Sequence, residues 1–183
     1  VMLLEAGFSP EKLVAAVSNT DLHVPGRLEL VSDRRPHVYV DYAHTPAGVA
    51  SAVAEIKQRY PKLTLVLGAS GNRDQGKRAG MGEAASRNAD IVVITDDNPR
   101  GEDGDAIVAE IMAGFARPAT VTVERDRAQA IARAVAMAHA GDTVLIAGKG
   151  HEAYQIVDAK RLPFSDLAEA RLALRQKQGS EVI

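Results

Sequence analysis

The sequence predicts an α/β fold of the Rossmann-like type, with a mostly parallel sheet of about six strands, one antiparallel strand, and helices on both faces. Short runs rich in β-branched residues alternate with Ala-rich stretches of helical period. Nearly half of the 183 residues are apolar, which is enough for one sizeable core. Polar residues interrupt every apolar run, so none approaches the roughly 20 residues of a membrane-spanning helix.

The strands are expected in a regular order along the chain. Two runs, 27–31 and 37–41, are separated by a short segment ending in Pro36 and predict a hairpin that supplies the antiparallel strand. The other expected strands cover 63–67, 91–95, 120–123 and 143–147. We expect every strand except the first to be followed by a helix.

The helices have recognisable starts. Pro46 at the first helical position, after Thr45 as N-cap, predicts a helix with the apolar stripe of Val49, Val53 and Ile56. Further helices are expected over 76–88, after the N-cap candidates Asp103 and Asp126, and from residues 164–166 to Leu174.

The amino-terminal residues do not follow this alternation of strands and helices. Residues 2–16 predict one or two helical turns around Pro10, and residues 19–26 look irregular. We expect residues 1–23 to be the tail of a preceding domain and its linker, with Val1 a fragment boundary, and residues 24–183 to form the α/β domain.

Composition excludes several classes of function. The formal charge of −2 arises from acids and bases spread along the chain, so neither nucleic acid nor an anionic membrane is an expected partner. Cysteine is absent, which excludes disulfides and thiolate metal sites. The amino end lacks the pattern of a secretory signal, and we expect a cytoplasmic protein without membrane insertion.

Residues 71–78 nearly match the Walker A pattern between a predicted strand and a helix. Arg78 stands where that pattern needs a Ser or Thr hydroxyl for Mg²⁺, which argues against a phosphate loop. Gly68 and Gly71 also miss the spacing of a dinucleotide fingerprint. Arg73 lies near a helix start, where anions bind readily, although a tight turn with a solvated arginine is an equal alternative.

Three further polar loops follow predicted strands. Residues 96–100 include a stiffening proline before Arg100, whose planar fork matches a carboxylate. Residues 148–152 combine two glycines with Glu152, whose carboxylate is suited to an ammonium group. Residues 41–46 form the last of these loops and carry His44. Each loop alone is also consistent with an ordinary turn. Because the carboxyl ends of parallel strands share one edge, we expect all four loops to meet there and to suit a zwitterionic ligand.

In the order of these four loops and in their residues, the sequence resembles the Mur ligase family, in particular its diamino-acid-adding members. The resemblance covers about residues 24–174. Its most specific element is the run Asp97, Asn98, Pro99 and Arg100, which resembles the signature of the meso-diaminopimelate enzymes. The resemblance implies that the chain is the amino-acid-binding C-terminal domain of a longer enzyme. That enzyme would also have an N-terminal domain for a UDP-sugar and a central ATPase domain.

The resemblance also implies a reaction. ATP would phosphorylate the D-Glu side-chain carboxylate of UDP-MurNAc-L-Ala-D-Glu, and the amine of meso-diaminopimelate would attack the acyl phosphate. ATP and Mg²⁺ would be bound mainly by the central domain, so we expect this chain alone to be inactive. Alternatives are the same ligation with L-lysine or ornithine, a folylpolyglutamate synthase-like domain, and a non-catalytic amino-acid-binding module.

By the same resemblance, site residues fall into two groups, with no catalytic or metal-binding residue in this domain. The diamino acid would be held by Arg73, Asp97, Asn98, Arg100, Gly148 and Glu152. The nucleotide would lie near Asp41, Tyr42, His44 and Asn72.

Overall fold

The computed structural model describes residues 6–18, 24–32, 34–116 and 121–180, and within these ranges it contains a six-stranded sheet. Its strands are β1 Glu29–Ser32, β2 His37–Asp41, β3 Leu63–Leu67, β4 Ile91–Ile94, β5 Val121–Val123 and β6 Thr143–Ala147. They lie in the order β1-β2-β6-β3-β4-β5, and all neighbours pair in parallel except β1 with β2. The predicted fold class is confirmed.

Three of the helices begin directly after their predicted N-cap residues. The helices are α1 Pro10–Ser18, α2 Pro46–Arg59, α3 Lys77–Asn88, α4 Gly104–Met112, α5 Arg127–Met137 and α6 Asp166–Ser180. The side chains of Thr45, Asp103 and Asp126 each accept a hydrogen bond from a backbone N–H in the first turn of α2, α4 and α5. The three predicted N-caps are therefore confirmed.

Alternate strand residues face the two helical layers, as the period of two requires. Leu65 and Leu145 pack against α2, α3 and α4 on one face. Val66 and Ile146 pack against α5 and α6 on the other. The central strands are buried on both faces, which explains their continuous apolar runs.

One expectation about the order of elements is wrong. After β6 the chain forms a second, two-stranded sheet, β7 Tyr154–Val157 and β8 Lys160–Pro163, before α6 begins. The expected helical turns near the amino end correspond to α1. Residues 1–5 and 19–23, together with Thr120 of the expected fifth strand, lie outside the described residues.

The strand order creates a crevice at the carboxyl edge of the sheet. The chain leaves β2 for β3 and returns much later with β6, which fits between them. In open α/β sheets ligands bind outside the carboxyl ends of the strands where the order reverses.

Across the described ranges, no helix is both long and apolar enough to span a membrane.

Candidate functional site

A cleft of about 420 Å³ lies at the carboxyl edge of β2, β6, β3 and β4, where the four polar loops meet. It is lined by Tyr42, His44, Ala69, Ser70, Arg73, Asp74, Lys77, Asp97, Asn98, Arg100, Gly148, Glu152 and Tyr154. Residues far apart in sequence thus share one site because parallel strands end at a common edge.

Two of the loops are locked together by direct backbone contact. The N–H of Gly71 donates to the carbonyl oxygen of Asn98 at 2.8 Å. A Cβ at position 71 would lie 1.9 Å from the carbonyl oxygen of Pro99, so a side chain there would force the loops apart. Glycine is required here for close approach.

The acidic side of the cleft is built around a buried lysine. The Nζ of Lys149 donates to Asn98 Oδ1 and Glu152 Oε2, each at 3.0 Å, and to Asp97 Oδ1 at 3.3 Å. Lys149 is 0% exposed and does not line the cleft, whereas its three partners do. Ser70 Oγ donates to the other Asp97 oxygen at 2.8 Å, so both oxygens of this carboxylate are engaged.

A buried ion pair lies behind this group. Arg127 Nε and Nη2 donate to the two carboxylate oxygens of Asp166, each at 2.7 Å, and Nη2 also donates to the carbonyl of Ala147. Burial alone would lower the pKa of Arg127, but the carboxylate of Asp166, with Asp97 and Glu152, raises it. Arg127 therefore remains a cation beneath the site.

Arg100 also lines the cleft, and its backbone lies in the left-handed region at φ +56°. Its N–H donates to the carbonyl of Ile156 in β7, and its own carbonyl accepts from the N–H of Asp158. Within the described residues its buried Nε has no hydrogen-bond partner. The guanidinium is thus fixed at its base and retains an unused donor, which is costly unless a ligand accepts from it.

The loop that resembles a Walker A motif does not fit a nucleotide with Mg²⁺. The guanidinium of Arg78 is 0% exposed and donates to Glu102 at 2.6 and 2.8 Å and to Glu110 at 2.8 Å. Hydrogen bonds from Arg78 and from the N–H of Asn72 lower the pKa of Glu102 to about 2, against the effect of burial. Arg78 therefore ties α3 to the loop before α4. Among described residues, no cluster of three or more His, Asp or Glu side chains could hold a metal ion.

An aromatic wall closes the cleft on the β2 side. The rings of Tyr42 and His44 meet edge to face with centroids 4.6 Å apart, and His44 Nδ1 lies 2.7 Å from the carbonyl oxygen of Tyr42. The guanidinium of Arg27 lies 4.8 Å from the centre of the Tyr42 ring. This wall offers flat apolar surface beside a cation.

The structure brings most of the expected site residues together. Eight of them line the cleft, namely Tyr42, His44, Arg73, Asp97, Asn98, Arg100, Gly148 and Glu152. The other two do not: the carboxylate of Asp41 accepts from the N–H of Leu28 at 2.7 Å and lines a separate groove, and Asn72 is an exposed residue whose N–H donates to Glu102.

Sequence reasoning did not select Lys149 or Tyr154. Lys149 stands between two glycines, a position that places its backbone in the edge loop, but nothing local indicates that its side chain turns inward. Tyr154 begins β7, whose alternating run and two-residue break at Asp158 are a hairpin signal that the sequence does contain. The lining of the cleft combines guanidinium groups with carboxylates, and this combination is complementary to a zwitterion.

Known proteins resemble this chain in sequence and in fold. The family profile described as "Mur ligase, glutamate ligase domain" matches residues 26–150. A UDP-N-acetylmuramoyl-L-alanyl-D-glutamate--2,6-diaminopimelate ligase of Xylella fastidiosa is 49% identical over 173 residues, 93% of this chain and 35% of the relative. The ligase of the same name from Parasynechococcus marenigrum is 48% identical, over 97% of this chain and 37% of the relative. The chain thus spans about a third of these relatives.

Solved structures agree with the sequence relatives. A structure of a UDP-N-acetylmuramoyl-L-alanyl-D-glutamate--2,6-diaminopimelate ligase superposes with a TM-score of 0.80 at 37% identity, covering 95% of this chain and 36% of that chain. E. coli FolC in complex with ADP superposes with a TM-score of 0.63 at 20% identity, over 97% of this chain and 38% of that chain, which shows a shared fold alone.

Proposed function

The chain belongs to the Mur ligase family, and from this membership we propose that it is the amino-acid-binding domain of an ATP-dependent ligase that adds meso-diaminopimelate to UDP-MurNAc-L-Ala-D-Glu. The relatives of this name are about three times as long as the chain. The preceding domains would bind the UDP-sugar, ATP and Mg²⁺, and this domain would present the amine.

The observation that carries the proposal is that Arg100 and the acidic side line the same cleft. Within the described residues the buried Nε of Arg100 has no hydrogen-bond partner, and Asp97 and Glu152 line the same cavity. Meso-diaminopimelate has a carboxylate and an ammonium at its distal end. Arg100 would bind that carboxylate through parallel charge-assisted hydrogen bonds, while the acidic side would bind the ammonium.

The chemistry assigned to the whole ligase is a condensation in two steps. The γ-phosphoryl group of ATP passes to the D-Glu carboxylate, leaving ADP, and the amine then displaces phosphate to form the amide and loses a proton. This chain would contribute position, because holding both charged groups of the distal end fixes where the reacting amine points. L-lysine and ornithine lack the second carboxylate and would leave Arg100 unpaired.

The test is Arg100→Ala in the full-length protein, with kcat/KM measured for meso-diaminopimelate and for L-lysine. Loss of the partner for a desolvated carboxylate costs on the order of 2 to 4 kcal/mol, which is about 30 to 1000-fold in kcat/KM. Lysine use should change far less, so the preference collapses.

A matched control is Arg87→Ala, which removes an exposed arginine that pairs with Glu83 on the surface of α3 and should leave both kcat/KM values unchanged. If Arg100→Ala lowers kcat/KM equally for both amino acids, Arg100 either holds the α-carboxylate that they share or is structural.

A further inference from the structure

We infer that Lys149 is a positioning residue: an internal cation that fixes the acidic side of the cleft and leaves it with the charge of a single carboxylate. This role rests on the proposed function, since it prepares the cleft for one substrate ammonium. Lys149 would not touch the substrate, because its side chain is fully buried and lies outside the cleft lining.

The hydrogen-bonding capacity of Lys149 is fully used. An ammonium group has three N–H donors, and Nζ has three acceptors at 3.0 to 3.3 Å, contributed by Asp97, Asn98 and Glu152. These acceptors come from two loops about 50 residues apart in sequence. One cation therefore sets the distance between both halves of the acidic side.

Lys149 also fixes the orientation of the amide of Asn98. Asn98 Oδ1 accepts from Lys149 and from the backbone N–H of Ile156 at 2.8 Å, so the amide nitrogen must face the other way. That nitrogen, Nδ2, donates to Glu152 Oε2 at 3.2 Å. Glu152 Oε2 is thus occupied twice, whereas its Oε1 accepts no hydrogen bond from the described residues and is free for a ligand.

The charges on the acidic side of the cleft match a single ammonium group. Asp97 and Glu152 contribute two negative charges, and Lys149 neutralises one of them. The buried cation Arg127 adds nothing, because Asp166 balances it at 2.7 Å. One net negative charge remains. Without Lys149, two nearby carboxylates with limited access to water would repel each other and lose their common anchor.

The experiment compares two substrates in the full-length protein: meso-diaminopimelate and 2-aminopimelate, which keeps the distal carboxylate but lacks the distal ammonium. We expect the wild type to prefer the diamino acid. In Lys149→Met, the ratio of the two kcat/KM values should fall about tenfold or more, with a higher KM for the diamino acid and an unchanged KM for ATP. Lys149→Arg, which keeps the charge, should retain part of the preference.

Lys57→Met is the matched control. Lys57 Nζ also holds a carboxylate, Asp90 at 2.9 Å, and a carbonyl, Pro61 at 2.7 Å, but Asp90 lies just before β4, at the opposite edge of the sheet. Its loss should leave the substrate ratio unchanged. Melting temperatures of all variants would separate misfolding from a local effect.

One result would overturn the role of Lys149 alone: an unchanged ratio in Lys149→Met, whether the two kcat/KM values stay as in the wild type or fall equally. If Lys149→Met does not fold, Lys149→Gln, which keeps an N–H donor without the charge, takes its place; unfolding of both would show that Lys149 serves the fold instead. A wild type that does not prefer the diamino acid would overturn the proposed function and this role with it.

Discussion

Tyr42 and His44 form an aromatic wall of the cleft. The guanidinium of Arg27 lies 4.8 Å from the centre of the Tyr42 ring, and the ring of His151 is 5.5 Å from that of Tyr42. Flat rings next to a cation suit a nucleobase or phosphate better than a zwitterion. A contribution to ATP binding is therefore best tested at this wall.

We predict that Tyr42→Ala or His44→Ala in the full-length protein raises the KM for ATP about fivefold or more, because a lost ring contact is worth about 1 kcal/mol. The KM for the diamino acid should change less. Steady-state kinetics with each substrate varied in turn provide the measurement. His139→Ala, an exposed histidine in the connection before β6, is the control. A selective rise in the diamino-acid KM would reverse the assignment.

Residue type and strand position predict which side chains reach the edge of the sheet, but not where each one points. Asp41 illustrates this limit. It ends β2 as expected, yet its carboxylate is taken by the N–H of Leu28, a contact that depends on the path of the chain before β1. Lys149 shows the reverse: only the meeting of two loops makes a buried position favourable for its ammonium group.

The ion pair of Arg78 and Glu102 joins the start of α3 to the loop before α4. Glu102 also accepts from the N–H of Asn72 at 2.7 Å and from the amide of Gln75 at 3.1 Å. The pair therefore holds the loop at residues 71–78 against the turn that follows Arg100.

The low pKa of Glu102 predicts how this contact depends on pH. Its pKa is about 2 in the folded protein against an ordinary value of 4.5, so its stabilisation is complete above about pH 4.5 and is lost as the pH falls towards 2. Glu102→Gln should lower the free energy of unfolding most near pH 6, with a shrinking difference from wild type towards pH 3. Urea unfolding at several pH values measures this.

Glu83→Gln, which removes the exposed carboxylate paired with Arg87, is the control and should show little such dependence. A difference between wild type and Glu102→Gln that stays constant from pH 6 to pH 3 would contradict the prediction.

The sequence predicted most elements because their signals are local. Thr45, Asp103 and Asp126 cap helices through contacts within one turn. The β7 and β8 hairpin was not predicted although its signal is local, and its place against the loop that carries Arg100 depends on distant contacts. The side chain of Gln155 donates to the carbonyl of Asp97, and the N–H of Arg100 donates to a carbonyl of β7, both across more than 50 residues.

The pair of Arg127 and Asp166 connects the starts of α5 and α6 with the edge of the sheet. Arg127 begins α5, Asp166 begins α6, and Arg127 also donates to the carbonyl of Ala147 at the end of β6. Both side chains are 0% exposed. The pair thus joins one helical layer to the strand that leads into the cleft.

We predict that Arg127→Met or Asp166→Leu lowers the free energy of unfolding by about 3 to 5 kcal/mol, because each leaves a charged group buried without its partner. Arg127→Met with Asp166→Leu should recover part of this loss, since neither charge is then buried. Denaturant unfolding of the four proteins gives the coupling energy.

The exposed pair of Arg87 and Glu83 is the control, and its removal in the same way should lower the free energy of unfolding by less than about 1 kcal/mol. Additive losses in the double variant, or single losses as small as those of the surface pair, would show that the two helices are held by their apolar contacts alone.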